Sequence, residues 1–136
     1  MKNLLILSGL LAVLSSACKS DDSIGPSDLL YKRWQILQSR NVNNPVWSMY
    51  DTDAYYDTEY QPDGTLIYRR NGLVTSTPCC SGSQFERNGV LIQYSEFIPC
   101  PLVLCASVTK TTITFLKDNL LELQAGDRIT QYTPAQ

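Results

Sequence analysis

Tyr55-Tyr56-Asp57-Thr58-Glu59-Tyr60-Gln61-Pro62-Asp63-Gly64-Thr65-Leu66-Ile67-Tyr68-Arg69-Arg70 is the stretch that decides the fold. Over residues 55–61, β-favouring Tyr and Thr alternate with acids, which suits a strand with two unlike faces. Pro62-Asp63-Gly64 then supplies a tight turn, and residues 65–70 run back as a second strand. Working outward, Asn88-Gly89 stands between residues 84–87 and the apolar residues 90–94 and predicts a hairpin with a type I′ turn. Residues 108–115, 120–124 and 128–133 are three more extended runs, separated by Lys117-Asp118-Asn119 and Ala125-Gly126-Asp127, and read as a closing meander. Toward the N-terminus, Pro26-Ser27-Asp28 introduces a short helical turn. Residues 32–40 then alternate, with Trp34, Ile36 and Gln38 on one face, until Leu37 breaks the pattern. About seven or eight short strands and almost no helical periodicity predict an all-β, antiparallel barrel or sandwich.

The first residues read as an address. Lys2 gives a positive start, residues 4–14 an apolar run, and Ser15-Ser16-Ala17 a set of small residues before Cys18. The run is shorter than the roughly 20 residues a membrane-crossing helix needs, so a signal peptide over residues 1–17 is expected. The segment ending in Cys18 resembles the lipobox of bacterial lipoproteins, with Ser15 standing where leucine is usual. The resemblance implies a diacylglyceryl group on the Cys18 thiol, with palmitate-type chains that anchor the protein to a membrane. Residues 18–27 then form a polar tether. Lys19-Ser20-Asp21-Asp22 resembles the acidic signal that sends such lipoproteins of Bacteroidetes-type bacteria to the outer face of the outer membrane. The expected location is therefore the bacterial cell envelope, as an outer-membrane, surface-exposed lipoprotein. Residues 28–136 have the size of one domain.

With Cys18 as a lipid site, Cys79, Cys80, Cys100 and Cys105 remain, and an exported chain meets an oxidising compartment. Two disulfides are expected. Joining the adjacent Cys79 and Cys80 would strain the ring, so each is expected to pair with one of Cys100 and Cys105, in either arrangement. A four-thiolate zinc site would want paired CxxC knuckles, which this spacing lacks. The bridges would pin residues 75–83 and 98–106, which carry Pro78, Pro99 and Pro101, over one edge or mouth of the sheet.

The order of features resembles the lipocalin-like lipoproteins of Bacteroidetes-type bacteria. The resemblance rests on Leu29-Leu30-Tyr31-Lys32-Arg33-Trp34, on Tyr60-Gln61-Pro62-Asp63-Gly64-Thr65-Leu66, on Leu120-Leu121-Glu122-Leu123 and on Tyr132. It implies a small lipocalin-like β-barrel with Trp34 plugging the closed end and Arg128 stacked over that ring. Lipocalins usually place glycine two residues before this tryptophan, where the present chain has Lys32.

The chain has 11 Lys plus Arg, 13 Asp plus Glu and no histidine. Nucleic acid is not an expected partner, because phosphate neutralisation demands a basic patch. The absence of histidine removes the commonest general base and metal ligand. With no nucleophile elbow and no phosphate loop, a non-catalytic protein without a cofactor is expected. Asp57 and Glu59 share a strand face, as a glycosidase carboxylate pair would, but such pairs more often serve surface solvation. Asp51, Asp53, Asp57 and Glu59 offer oxygen ligands without the glycine and terminal glutamate of a calcium loop. The aromatics of residues 47–57 and the hairpin beyond form the candidate binding set, namely Trp47, Tyr50, Tyr55, Tyr56, Tyr60 and Tyr68. Such side chains stack on sugars and cover apolar ligands. An open cavity lined by these tyrosines would mark a binder of a small apolar or glycan ligand. A filled interior with a patch around the disulfide loops would mark a protein-interaction or structural module.

Overall fold

The hairpin predicted over residues 55–70 pairs Tyr56 with Arg70 and Tyr60 with Leu66. Its turn is built as its sequence demands: the Gly64 amide donates to Gln61 O at 3.0 Å and Thr65 N to the Asp63 carboxylate at 2.9 Å, with Gly64 at φ 89°. These details come from a computed structural model that describes residues 27–102 and 104–136; the expected signal peptide, Cys18 and the tether through residue 26 lie outside the described residues. A 3-10 turn, Ser27–Leu30, leads into β1 (Arg33–Asn41), β2 (Ser48–Met49), β3 (Tyr56–Tyr60), β4 (Leu66–Arg70) and β5 (Leu73–Thr75). Next come β6 (Gly82–Asn88), β7 (Leu91–Phe97), β8 (Lys110–Lys117), β9 (Leu120–Ala125) and β10 (Arg128–Pro134). All belong to one antiparallel sheet, in the order β5-β4-β3-β1-β10-β9-β8-β7-β6, with β2 also on β1.

Among the described residues ten strands replace the seven or eight expected, and the sheet does not close into a barrel. The added strands are β2 and β5, of 2 and 3 residues, in stretches with too little alternation to read. Closure fails because β5 takes the free edge of β4 along Tyr68, Arg69 and Arg70. The sheet nevertheless coils until its ends touch where β4 begins: Thr65 bridges Gln84, and Phe85 N donates to Gly64 O at 2.7 Å. Glycine is required there, since a Cβ on residue 64 would stand 2.9 Å from Phe85 O.

Two bulges turn the strands. One lies between Ile36 and Gln38, so Leu37 breaks the alternation because it is the extra residue. Gln38 therefore leaves the Trp34 face, against expectation, and donates to Gln131 on the outside at 2.7 Å. The second, between Ile113 and Phe115, shifts the buried positions of β8 from Thr111 and Ile113 to Leu116. The predicted type I′ turn is also displaced. Asn88 pairs with Leu91, leaving Gly89 and Val90 as the central residues with positive φ at Gly89 alone, the φ signs of a type II′ turn. Asn71 and Gly72, at φ 53° and 80°, carry the type I′ pattern and join β4 to β5.

Leu30, Trp34, Ile92, Ile113, Leu116 and Leu121 are sealed from solvent at one end of the coil. Trp34 is buried in this cluster, and its indole Nε1 donates to Leu30 O at 2.9 Å, which satisfies the one polar atom of a buried ring. The cation over Trp34 is Lys32, with Nζ 5.3 Å from the ring centroid, and not Arg128. Arg128 begins β10 opposite Asn41, whereas Trp34 faces Pro134 at the other end of the same pairing.

Candidate functional site

Beside this buried cluster the coiled sheet lines a half-open cavity of about 510 Å³. Inward positions on four strands place five tyrosines around it: Tyr56 and Tyr60 on β3, Tyr68 on β4, Tyr94 on β7 and Tyr132 on β10. Each follows from a period of two. Tyr56 and Tyr60 alternate with Asp57 and Glu59, Tyr94 follows the buried Ile92, and Tyr132 opposes Ile36. Leu66 and Leu123 supply aliphatic wall.

The hydroxyls are organised. Tyr60 Oη and Tyr94 Oη share a hydrogen bond of 2.9 Å, Tyr94 Oη and Thr111 Oγ1 another of 3.0 Å, and Tyr68 donates to Gly82 O at 2.7 Å. The Tyr60 ring meets Phe85 edge-on, with centroids 4.9 Å apart. Burial holds all these phenols neutral: it pushes Tyr68 up to about 12, and it raises Tyr60, Tyr94 and Tyr132 too, with neighbouring phenols adding to the effect at Tyr60 and Tyr132. A neutral phenol both donates and accepts, so the chain from Tyr60 through Tyr94 to Thr111 can re-point its protons toward a donor or an acceptor. The cavity therefore combines apolar wall with uncharged hydroxyls; the charged residues of its lining are Arg128, exposed at the rim, and Asp57, whose carboxylate is held by Arg33 and Arg69.

The disulfides frame the opening. Cys79 pairs with Cys100 and Cys80 with Cys105, at Cα separations of 5.5 and 6.2 Å. Cys79, Cys80 and Cys105 line the cavity, so the bridges pin their loops at its mouth.

Of the six aromatics singled out in the sequence, Tyr56, Tyr60 and Tyr68 reach the cavity while Trp47, Tyr50 and Tyr55 do not. Trp47 packs under the Arg40 guanidinium at 4.9 Å, beside a shallow polar hollow of about 420 Å³ lined by Ser39, Asn44 and Asp127. Tyr50 is exposed and its amide donates to Leu37 O; Tyr55 Oη accepts from the Gln136 amide. Tyr94 and Tyr132 are the cavity residues the sequence reading passed over. Their signal was the alternation Ile92-x-Tyr94 and Thr130-x-Tyr132.

The carboxylates are taken up by arginines. Asp57, buried, accepts from Arg33 Nε and Nη2 at 3.0 and 2.7 Å and stands 3.6 Å from Arg69 Nη1, while Glu59 pairs with Arg69 at 2.6 Å. The pair is therefore bound to arginines rather than solvated or poised for acid–base work. Asp53 pairs with Arg70 at 3.3 Å, so the four acids weighed as calcium ligands do not converge. Comparison with known proteins finds no matching family model, no matching curated protein and no matching solved structure.

Proposed function

We propose that the chain is a lipid-anchored, non-catalytic protein of the bacterial envelope that holds a small, neutral, mainly apolar ligand in the tyrosine-lined cavity. On this reading the coiled sheet is a lipocalin-like cup, plugged by Trp34 and open at the disulfide loops. The observation that carries it is the cavity itself: about 510 Å³, walled by five tyrosines from five inward positions. Ligand pockets run to roughly 300–1,000 Å³ and are mostly apolar with a few placed polar groups. An ionised head group at the base would lose its water and find no opposite charge there, so the paired hydroxyls favour a ligand with a carbonyl, hydroxyl or ring oxygen. The location rests on the segment ending in Cys18, whose thiol would carry the anchor.

Titration with N-phenyl-1-naphthylamine, a neutral apolar fluorophore, tests the reading. The expected result is saturable enhancement at one site, lost in a Thr130→Phe variant that fills the cavity and kept when Leu102 and Leu104 are changed to Ser. Enhancement that survives Thr130→Phe and disappears with the two leucines would place the probe on the surface and reject the cavity as a binding site.

A further inference from the structure

We propose that the disulfide-pinned end of the molecule, around Leu102 and Leu104, docks on the lipid bilayer to which the chain is tethered, so that the cavity opens against lipid. The inference rests on the lipid-anchored reading above and adds an orientation to it.

Three observations converge. Leu102 and Leu104 are 96% and 105% exposed, as open as in an unfolded chain, and Ile98 and Val108 on either side are 43% and 50% exposed. Exposed leucines on a loop are ordinarily a liability, yet these are held out by bridges at Cys100 and Cys105. The loop is thus presented, because collapse onto the body is opposed by two covalent ties.

Charge is the second observation. Residues 71–85 and 97–109 contain no Asp, Glu, Lys or Arg. The two bridges join these uncharged stretches to each other at the mouth. A protein-binding surface keeps a polar, partly charged rim around its apolar centre. A segment that enters the headgroup and acyl boundary by about 5–10 Å must instead leave charge behind, and uncharged loops with leucine tips do so.

Reach is the third. Chain direction puts the Ser27–Leu30 turn at the plugged end with Trp34, and the mouth at the far end of β1, which is 9 residues long. That strand measures about 30 Å at roughly 3.3 Å per residue. Residues 18–26, fully extended, also reach about 30 Å. An anchor at Cys18 therefore lets the body turn its mouth to the membrane and keeps the loop within one molecular length of lipid, where a weak contact is reinforced by effective concentration. Cys79, Cys80, Cys105 and Val108 line the cavity, so the docked mouth gives an apolar ligand a path from bilayer to cavity that avoids water.

The test uses the full chain, exported and processed by a bacterium, then reconstituted into phosphatidylcholine vesicles. Flotation with the vesicles reports the anchor. A Leu102→Trp substitution, tolerated because the position is fully exposed, reports the loop through its emission relative to the unsubstituted chain. The expected result is flotation with blue-shifted emission, quenched by phosphatidylcholine brominated near the top of its acyl chains and insensitive to salt. Adding Leu104→Asp should return that emission to its solvent value. Flotation with unshifted, unquenched emission would leave the anchor standing and overturn the docking. A blue shift without lipid quenching would mean that protein, a second copy of the chain, covers the loop, and overturns it as well. Failure to float would reject the anchored reading, and the docking with it.

Discussion

Replacing Asp57 with Asn tests whether the ion-pair cluster is desolvated, as its geometry implies. The carboxylate is 0% exposed and takes two hydrogen bonds from Arg33, at 2.7 and 3.0 Å. Asparagine keeps the volume, but it removes the charge and turns an amide donor toward a guanidinium that only donates. Breaking a buried pair by removing one partner costs about 3–5 kcal/mol. Here the loss belongs near the lower end, about 3 kcal/mol, because Arg69 keeps Glu59 at 2.6 Å and Arg33 is 32% exposed. For a domain of this size that lowers the thermal midpoint by about 12 °C, at roughly 4 °C per kcal/mol. The assay is thermal and urea unfolding of the oxidised protein, followed by circular dichroism. Asp57→Leu combined with Arg33→Met should recover most of the loss, since it removes the charges instead of stranding one. A loss below about 1 kcal/mol for Asp57→Asn, the range of solvent-exposed pairs, would refute the argument.

The phenols of Tyr60, Tyr68, Tyr94 and Tyr132 should stay protonated in the folded protein as pH passes 10, with Tyr68 ionising near 12. Because their folded values lie above the unfolded one, the stability they contribute is whole below pH 10 and is lost as pH rises toward 12; ultraviolet difference titration of native and urea-unfolded protein checks this. Changing Cys80 and Cys105 together to Ser opens a bridge with a sequence separation of 25 and should lower unfolding free energy by about 3 kcal/mol in urea. Gly64→Ala should destabilise by about 1–3 kcal/mol, since φ is 89° and the added Cβ meets Phe85 O at 2.9 Å; urea unfolding gives the value.

Much of the sheet is legible because its strands are bounded by strong turn chemistry. Pro62-Asp63-Gly64 and the two turns of the closing meander stand where they were read, and even the break at Leu37 had a physical meaning, as the extra residue of a bulge. What escaped depends on distant partners. Asn88-Gly89 and Asn71-Gly72 are the same dipeptide, and only pairing register decides which one supplies both central residues of its turn. The order of the two bridges depends on how the two loops meet, with Cys80 N donating to Ile98 O, and not on spacing along the chain. Asp57 looked like a solvated acid because its arginines arrive from β1 and β4. The candidate site was half legible for a related reason. Tyr56, Tyr60 and Tyr68 belong to one hairpin and could be grouped along the chain, whereas Tyr94 and Tyr132 join them only when the sheet coils.

The central claim, a cavity that holds a small neutral ligand, is tested most directly by native mass spectrometry of the oxidised protein isolated from bacterial envelopes, alongside its denatured mass. A native mass that exceeds the denatured one by a single small molecule, with that excess absent in Thr130→Phe, is the predicted result. Equal native and denatured masses for protein kept in its envelope lipids throughout, together with failure to take up any neutral apolar probe, would contradict it.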